Sequence, residues 1–258
     1  MASLSNIPAN PVRAALLRRE VCLGGWVQIG HPAVAEIFAR AGFAWVAVDC
    51  EHTDMDLPQA AAVLRGLHGR GAVPFVRVRE NQLLAIRQAL DIGAQGVIVP
   101  LIHTAEEARA AVRAAKYPPQ GERGFAFVRA NNHGADFDAY VAAANEQVAV
   151  VAMIESRQGV ENIEAILAVE GVDGVFVGPY DLSGSYGVPG QLEHPAVEAA
   201  QERVLAACKA AGRSAGLHLV TPTPEKIKAV RAQGYTFIAL GMDTVFLAES
   251  ARRVLEGW

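Results

Sequence analysis

Two acidic residues follow short apolar runs that are typical of buried parallel strands. Glu155 comes directly after the run at 151–154, and Asp181 follows the run at 175–177. Because the carboxyl ends of parallel strands meet at one mouth of a barrel, we expect both carboxylates to face a common space. Such oxygen ligands, with room left for water and substrate, suit a divalent cation such as Mg²⁺ or Mn²⁺. Taken alone, Glu155 could also be a first-turn helix acid favoured by the helix dipole.

Asp49, His52 and Arg77 add further chemistry at predicted strand ends. Asp49 is close enough in sequence to His52 to orient the imidazole, so His52 is a candidate general base, although it could instead cap a helix. Arg77 ends an apolar strand, where a guanidinium requires a carboxylate from the protein or from a substrate. Arg77 therefore either forms a structural salt bridge or neutralises oxyanion charge. The predicted mouth comprises Gln28, Asp49, Glu51, His52, Arg77, Glu155 and Asp181, with His218 either facing it or packing beneath it.

Composition excludes several classes of function. The 258 residues are 52% hydrophobic and carry a formal charge of −4, and the basic residues are scattered, so nucleic acid and anionic membranes are not expected partners. Cys22, Cys50 and Cys208 are widely spaced and indicate a reducing compartment. Residues 1–21 contain no apolar segment of signal-peptide length, so we expect a cytoplasmic protein.

Short apolar runs alternate with helical patterns along the whole chain. Strands are predicted at 23–29, 44–49, 73–78, 96–100, 151–154, 175–177, 215–219 and 236–240. Helices are predicted at 11–20, 32–41, 57–67, 82–90, 158–169, 196–211 and 245–256, with one after a capping box at Thr104 and Glu107 and another from residue 182. This alternation predicts an α/β protein, a single (β/α)₈ TIM barrel over residues 1–258 whose first helix caps the bottom.

One segment has no regular pattern. Residues 117–136 contain several glycines, prolines and asparagines, and a loop this long in a compact domain is more often functional than idle. We expect it to lie over the mouth of the barrel. The predicted strand ends carry no lysine, so a Schiff-base mechanism lacks its residue.

Ordered sequence blocks resemble the HpcH/HpaI family of metal-dependent class II pyruvate aldolases. The blocks run over nearly the whole chain, at 42–45 (GFAW), 48–52 (VDCEH), Arg77, 91–94 (DIGA), 117–119 (YPP), 123–124 (RG), 154–156 (IES), 170–179 (EGVDGVFVGP) and 181–183 (DLS). The family includes aldolases for 4-hydroxy-2-oxoheptanedioate and 2-dehydro-3-deoxyglucarate. This order is specific for the family but not for a substrate.

The resemblance implies a TIM barrel whose last helix is exchanged between paired subunits, often within a homohexamer. It also implies that Glu155 and Asp181 hold Mg²⁺, Mn²⁺ or Co²⁺, which pyruvate chelates. Arg77 would stabilise the enolate, while Asp49 and His52 would serve acid–base chemistry. The backbone at Gly178 and Pro179 would lie beside the pyruvate carboxylate.

Three further residues are candidates for substrate contact. Trp26 either lines the pocket or packs in the core. Met153 stands where related aldolases commonly have a glutamine that bonds the keto acid, and Tyr180 stands where they often have a small residue. The pocket is therefore expected to differ from that of the family aldolases in both hydrogen bonding and bulk.

The expected reaction is the reversible cleavage of a 4-hydroxy-2-oxo acid to pyruvate and an aldehyde through a metal-bound pyruvate enolate. An alternative uses the same enolate but forms it by decarboxylating oxaloacetate, as macrophomate synthase does. A second alternative is a non-catalytic barrel that binds a keto acid, which has no need of the base that His52 supplies.

Overall fold

Eight parallel strands form a closed barrel in the computed structural model, which describes residues 9–256. The strands are β1 (Cys22–Val27), β2 (Trp45–Asp49), β3 (Val73–Arg77), β4 (Gly96–Val99), β5 (Ala149–Ile154), β6 (Gly174–Val177), β7 (Ser214–Leu219) and β8 (Phe237–Met242). Each strand pairs with the next one in the chain, and β1 pairs with β8 to close the sheet. The predicted (β/α)₈ barrel and its eight strands are confirmed.

Helices surround the barrel and connect its strands. They are α1 (Pro11–Arg18), α2 (Pro32–Ala41), α3 (Leu57–Gly66), α4 (Leu83–Asp91), α5 (Ala105–Ala115), α6 (Phe137–Gln147), α7 (Arg157–Glu161), α8 (Ile163–Leu167), α9 (Pro179–Ser185), α10 (Pro195–Ala210), α11 (Pro224–Gln233) and α12 (Asp243–Leu255). A 3₁₀ segment at Arg129–Gly134 precedes α6. Among the helices in the described part of the chain, none is long and apolar enough to cross a membrane.

Alternation along each strand sends side chains to two separate cores. In β2, Trp45 and Ala47 belong to the cluster inside the barrel, whereas Val46 and Val48 belong to the larger cluster between the sheet and the helices. Aromatic side chains fill much of the interior cluster, and they are Trp26, Trp45, Phe75, Phe176 and Phe237. The barrel is therefore a packed core whose upper layer forms the floor of the mouth.

The first helix lies across the end of the barrel where the strands begin. The Asn10 side-chain amide donates to the backbone oxygens of Gln95 and Gln147, which lie next to the starts of β4 and β5. Ser214 Oγ, at the start of β7, donates to the backbone oxygen of Leu16. These bonds tie α1 to three strands. The proposed single domain also includes residues 1–8 and 257–258, which lie outside the described residues.

Several helix predictions differ from the structure in detail. The capping box at Thr104 and Glu107 is present at the start of α5. The predicted helix at 158–169 is divided into α7 and α8 at Asn162, and the helix expected from residue 182 begins earlier, at Pro179. The helices α6 and α11 had no counterpart among the predictions. The helix α6 buries only Tyr140 and Ala144, and α11 buries only Val230, so neither sequence has a clear apolar periodicity.

The irregular segment 117–136 does not lie over the mouth, so that prediction was wrong. Arg123 forms an ion pair of 2.8 Å with Asp91, and Arg129 donates to the backbone oxygen of Ile92 at 2.8 Å. Both partners lie at the carboxyl end of α4, which is the end of the barrel where strands begin. The segment connects α5 to α6. The chain must be at the end of the barrel where strands begin when β5 starts, directly after α6.

Gly24 allows the indole of Trp45 to fill the barrel interior. A Cβ at position 24 would lie 2.0 Å from Trp45 Cδ2, a contact that the packed core cannot accept. We expect Gly24→Ala to destabilise the fold by about 1–3 kcal/mol and to lower the thermal unfolding midpoint by several degrees.

Gly184→Ala is the matched control, because its Cβ meets no described atom within 4 Å. Differential scanning calorimetry should show no loss of stability for this control. An unchanged midpoint in Gly24→Ala would contradict the packing described for the barrel interior.

Candidate active site

A bidentate ion pair joins the ends of two neighbouring strands. Asp49 and Arg77 are the last residues of β2 and β3 and are direct partners in the register. Arg77 Nε donates to Asp49 Oδ1 at 3.0 Å, and Arg77 Nη2 donates to Asp49 Oδ2 at 2.7 Å. The guanidinium also lies over the indole of Trp26, with Cζ 4.8 Å from the ring centroid. Arg77 is therefore fixed in one orientation at the mouth.

The Asp49 carboxylate is fully buried and satisfied by several donors. Besides Arg77, it accepts hydrogen bonds from Gln28 Nε2 at 3.0 Å and from the backbone N–H groups of Glu51 and His52 at 3.2 Å each. Burial acts to raise the pKa of Asp49, but the bonds and charge of Arg77, together with the hydrogen bonds from Gln28 and the His52 backbone, outweigh it and hold the pKa below its ordinary value. Asp49 is thus a fixed anion that positions its neighbours.

His52 does not receive its orientation from Asp49, so that prediction was wrong. Asp49 Oδ1 contacts the backbone N–H of His52, while the side chain of His52 is 56% exposed. Its Nε2 lies 3.7 Å from Glu51 Oε2. The reason is that Arg77, Gln28 and two backbone N–H groups already use both oxygens of Asp49. The acid beside the imidazole is Glu51.

Glu51 connects the exposed imidazole to the buried guanidinium. Its Oε2 is 3.3 Å from Arg77 Nη1, close enough for an ion pair but not aligned as a hydrogen bond. Burial raises the pKa of Glu51, as do the charges of Asp49 and Asp181, whereas Arg77 opposes the shift. A carboxylate with a raised pKa beside an imidazole suits proton transfer.

Glu155 follows β5 directly and is held by the neighbouring loop. Its Oε1 accepts a 2.7 Å hydrogen bond from the N–H of Leu101, a residue with a left-handed backbone at φ 55°. Its Oε2 lies where a side chain at Gly178 would stand, since a Cβ there would be 2.8 Å away. Glycine at position 178 therefore leaves space for the carboxylate.

Burial is the main influence on the ionisation of Glu155, which is only 4% exposed. It raises the pKa of Glu155 to about 7, against the opposing hydrogen bond from Leu101. The negative charges of Glu51 and Asp181 raise it further, and the charge of Arg77 lowers it. The three acids are therefore close enough to repel one another, and Arg77 is a cation that partly offsets them.

The pair Glu155 and Asp181 fits a hard divalent cation. Asp181 is exposed in the first turn of α9, and it lies near enough to Glu155 to influence its pKa. Residues 9–256 contain no cluster of three or more His, Cys, Asp or Glu side chains arranged as metal ligands. A cation held by these two carboxylates would take its other ligands from water or substrate oxygens.

The mouth contains a cavity of about 300 Å³ that is lined by most of the predicted residues, whereas Glu51 and Glu155 are not part of its lining. Trp26, Met153 and Phe176 are buried and form its floor. Tyr180 lies at the rim and is 55% exposed. The remaining lining residues are Gln28, Asp49, His52, Arg77, Val177, Gly178, Pro179, Asp181, His218 and Met242. Trp26 is both a core residue and a pocket residue.

Comparison with known proteins assigns this barrel to a family. Residues 23–250 match the model of the HpcH/HpaI aldolase/citrate lyase family. The chain belongs to this family. A hydroxypyruvate/pyruvate aldolase of Roseovarius nubinhibens is 40% identical over 97% of each chain. A 4-hydroxy-2-oxovalerate aldolase of Novosphingobium aromaticivorans is 39% identical, covering 97% of this chain and 95% of that protein.

A solved structure of the HpcH/HpaI family has the same fold. It is an HpcH/HpaI aldolase/citrate lyase family protein from Burkholderia cenocepacia, with 37% identity and a TM-score of 0.92, and the match covers 96% of this chain and 99% of that one. The predicted family and the prediction of an aldolase-type lyase are confirmed. Substrate, metal and residue roles remain predictions.

Two features of this HpcH/HpaI site were absent from the predicted set. Asp243 accepts hydrogen bonds from the backbone N–H groups of Gln28 and Ile29 at 2.8–3.1 Å, which joins the ends of β8 and β1. Its place directly after an apolar strand was the available signal. No sequence signal indicated the N–H of Leu101, because a backbone group is present in every residue and carries no pattern.

The raised pKa of Glu155 predicts a pH-dependent stability of the metal-free protein. In the unfolded chain Glu155 ionises near pH 4.5, and in the folded chain near pH 7. Its stabilising contribution is full below pH 4.5 and is lost as pH rises through 7, a change of up to about 3 kcal/mol. Glu155→Gln lacks this dependence, so the free energy of unfolding of the wild type minus that of the variant should fall as pH rises across this window.

Chemical denaturation in the presence of a chelator, at pH 5 and pH 8, measures this difference. Glu161→Gln, which changes an acid at the end of α7, controls for the general effect of removing a charge. A wild-type-minus-variant difference that stays constant with pH would contradict the account of Glu155.

Proposed function

We propose that the chain is a divalent-metal-dependent aldolase that reversibly cleaves a 4-hydroxy-2-oxo acid to pyruvate and an aldehyde. The observation that carries the proposal is that Asp181 and Arg77 line one cavity while the buried carboxylate of Glu155 lies directly behind its Gly178 wall, close enough to both to feel their charges. Family membership and the aldolase names of the relatives support the same class of reaction.

Glu155 and Asp181 would hold the cation, which we propose to be Mg²⁺, Mn²⁺ or Co²⁺. When bound, the cation supplies Lewis acidity towards the 2-oxo group of the substrate. A cation would also offset the repulsion among the acids that raises the pKa of Glu155. The backbone at Gly178 and Pro179 lines the cavity and would contact the carboxylate of the keto acid.

Arg77 is proposed to stabilise negative charge on the keto oxygen. Its fork is oriented before substrate arrives, because Asp49 holds Nε and Nη2. The third nitrogen of the guanidinium, Nη1, is not bonded to Asp49 and lies 3.3 Å from Glu51 Oε2. A preoriented cation of this kind costs little reorganisation as charge develops.

His52 is proposed to move the proton at the rim, directly or through water. Cleavage breaks the C3–C4 bond, and the C4 hydroxyl loses its proton as the aldehyde forms. The bonding electron pair passes to the pyruvate enolate, whose C3 then gains a proton. The imidazole is exposed and has Glu51 beside it, so it can exchange protons with solvent between these steps.

The proposal includes a homo-oligomer, a hexamer in which the last helix is exchanged between subunits. Three apolar side chains of α12 support it, since Leu247, Val254 and Leu255 expose 64%, 70% and 72% of their surface. Exposed apolar surface of this kind is typical of subunit contacts. A cytoplasmic location is also part of the proposal, consistent with the free cysteines Cys22, Cys50 and Cys208.

Removal of metal tests the proposal. We expect pyruvate release from a panel of 4-hydroxy-2-oxo acids to fall to background after treatment with a chelator and to return with Mn²⁺, Mg²⁺ or Co²⁺. Asp181→Asn should weaken Mn²⁺ binding in a calorimetric titration, because a neutral amide replaces a charged ligand.

Asp138→Asn, a matched change on the exposed first turn of α6, should leave Mn²⁺ binding intact. Oxaloacetate in the same panel distinguishes a decarboxylase from an aldolase. Full turnover in metal-stripped protein, or binding of keto acids without turnover, would reject the proposal.

Arg77→Lys tests the role of the fork. A lysine keeps the charge but cannot bond both oxygens of Asp49 while facing the substrate. We expect kcat/KM for aldol cleavage to fall about 10²- to 10³-fold, as for loss of an oxyanion donor. Arg109→Lys on the exposed face of α5 is the control. Near-normal turnover of Arg77→Lys would assign Arg77 to structure alone.

A further inference from the structure

The hydrogen bond that holds Glu155 comes from a strained residue. Leu101 donates its N–H to Glu155 Oε1 at 2.7 Å, while its own backbone has the left-handed φ of 55°. A leucine in this region is strained and keeps the conformation only where its surroundings fix it. The Leu101 side chain is 54% exposed, so its packing supplies little restraint. Contacts of the neighbouring residues in the loop between β4 and α5, residues 100–104, must therefore supply much of it.

His103 joins this loop to the residue that follows Glu155. Its Nδ1 lies 2.6 Å from Ser156 Oγ, and both residues are half-buried. Ser156 Oγ also accepts the N–H of Gly159 at 3.1 Å as the N-cap of α7, so its hydroxyl hydrogen can be donated to Nδ1. One serine hydroxyl thus binds both the first turn of α7 and the imidazole of the neighbouring loop.

The backbone of His103 is fixed on both sides. Its N–H donates to Glu107 Oε2 at 2.7 Å, and its oxygen accepts a 2.8 Å hydrogen bond from Asn162 Nδ2. Glu107 lies in the first turn of α5, and Asn162 lies between α7 and α8. The loop is therefore attached to α5 on one side and to the segment after β5 on the other.

The position of the loop decides which oxygen of Glu155 is left for a cation. The N–H of Leu101 occupies Oε1, whereas Oε2 lies on the side of Gly178, where a Cβ would be 2.8 Å from it. Gly178 in turn lines the cavity at the mouth. Hydrogen bonds that orient a ligand in this way contribute to metal affinity. A shift of the loop would release Oε1 and let the carboxylate turn away from Gly178.

We propose that His103 is a positioning residue for the cation site: through Ser156 it holds the loop in the place from which Leu101 orients the Glu155 carboxylate. This role rests on the proposed function, since it treats Glu155 as a ligand of the cation. It adds to that function a residue outside the lining of the cavity.

Titration of the full-length, metal-free protein with Mn²⁺ tests this role, with the free ion followed by electron paramagnetic resonance. We expect His103→Leu to weaken Mn²⁺ binding about fivefold, less than the roughly 10- to 100-fold typical of a direct contact to a ligand, because His103 acts through other residues. His103→Asn should restore most of the affinity. Its side-chain amide stands close to the position of Nδ1 and can bond Ser156 Oγ.

A double-variant cycle distinguishes action through Ser156 from a general loss of stability. Ser156→Ala should weaken Mn²⁺ binding at least as much as His103→Leu, and both changes together should cost no more than Ser156→Ala alone. His194→Leu is the control, because His194 is also half-buried before a helix, where its Nδ1 accepts the N–H of Ala196. This control loses a helix cap and some stability but should bind Mn²⁺ like the wild type.

Hydrogen exchange of the Leu101 amide gives a second readout that needs no metal. In the metal-free protein, NMR should show faster exchange of this amide in His103→Leu than in the wild type. The amide of Val150 in β5, which donates to Asp173 Oδ2, is the internal reference for global unfolding. Exchange at Leu101 relative to Val150 should be unchanged in His194→Leu.

Equal Mn²⁺ affinity of wild type and His103→Leu would overturn this role, as would additive losses in the double variant. Unchanged exchange of the Leu101 amide, or failure of His103→Asn to restore binding, would assign His103 to structure alone. If the wild type itself binds no Mn²⁺, the proposed function fails and this role fails with it. Binding of Mn²⁺ that does not respond to His103 rejects the positioning role alone.

Discussion

The ion pair between Asp49 and Arg77 is the interaction on which the mouth depends. Both residues end strands that are direct neighbours, so the barrel register itself brings the carboxylate and the guanidinium together. Removing either partner would leave a buried charge unpaired, which is far more costly than losing a surface salt bridge. Asp49 also accepts a hydrogen bond from the side-chain amide of Gln28. The backbone N–H of Gln28 in turn donates to Asp243 at the start of α12. One hydrogen-bonded network therefore runs along the ends of β8, β1, β2 and β3.

At the ends of β5 and β6 the pKa of the buried carboxylate is raised, whereas the pKa of Asp49 is lowered. Glu155 is buried with few donors, and its pKa is raised to about 7 by burial first and by the nearby acids second. The fold provides for this carboxylate with a left-handed Leu101 that donates its N–H and with a glycine at 178 that leaves room for Oε2. Such arrangements reduce stability, and they are retained where function requires them. Asp49 accepts hydrogen bonds from several donors, whereas the carboxylate of Glu155 accepts one among the described residues.

Sequence periodicity was sufficient for the barrel because each strand is a short, largely apolar run between helical segments. It also predicted which residues meet at the mouth, since a strand end in a parallel barrel has only one location. It could not predict which nitrogen or oxygen of those residues would be in contact. Asp49 contacts the His52 backbone rather than the imidazole because four other donors compete for its oxygens. The segment 117–136 was misplaced for a similar reason: its position is set by the long-range pair of Arg123 with Asp91, which no local pattern reveals.

The floor of the mouth joins the site to the core of the barrel. Trp26 packs edge-on against Trp45 and Phe176 inside the barrel, and the guanidinium of Arg77 lies over the same indole. Because the interior of a barrel is close-packed, the indole is held in place by its neighbours. The packing that stabilises the barrel therefore also helps to hold Arg77 at the mouth.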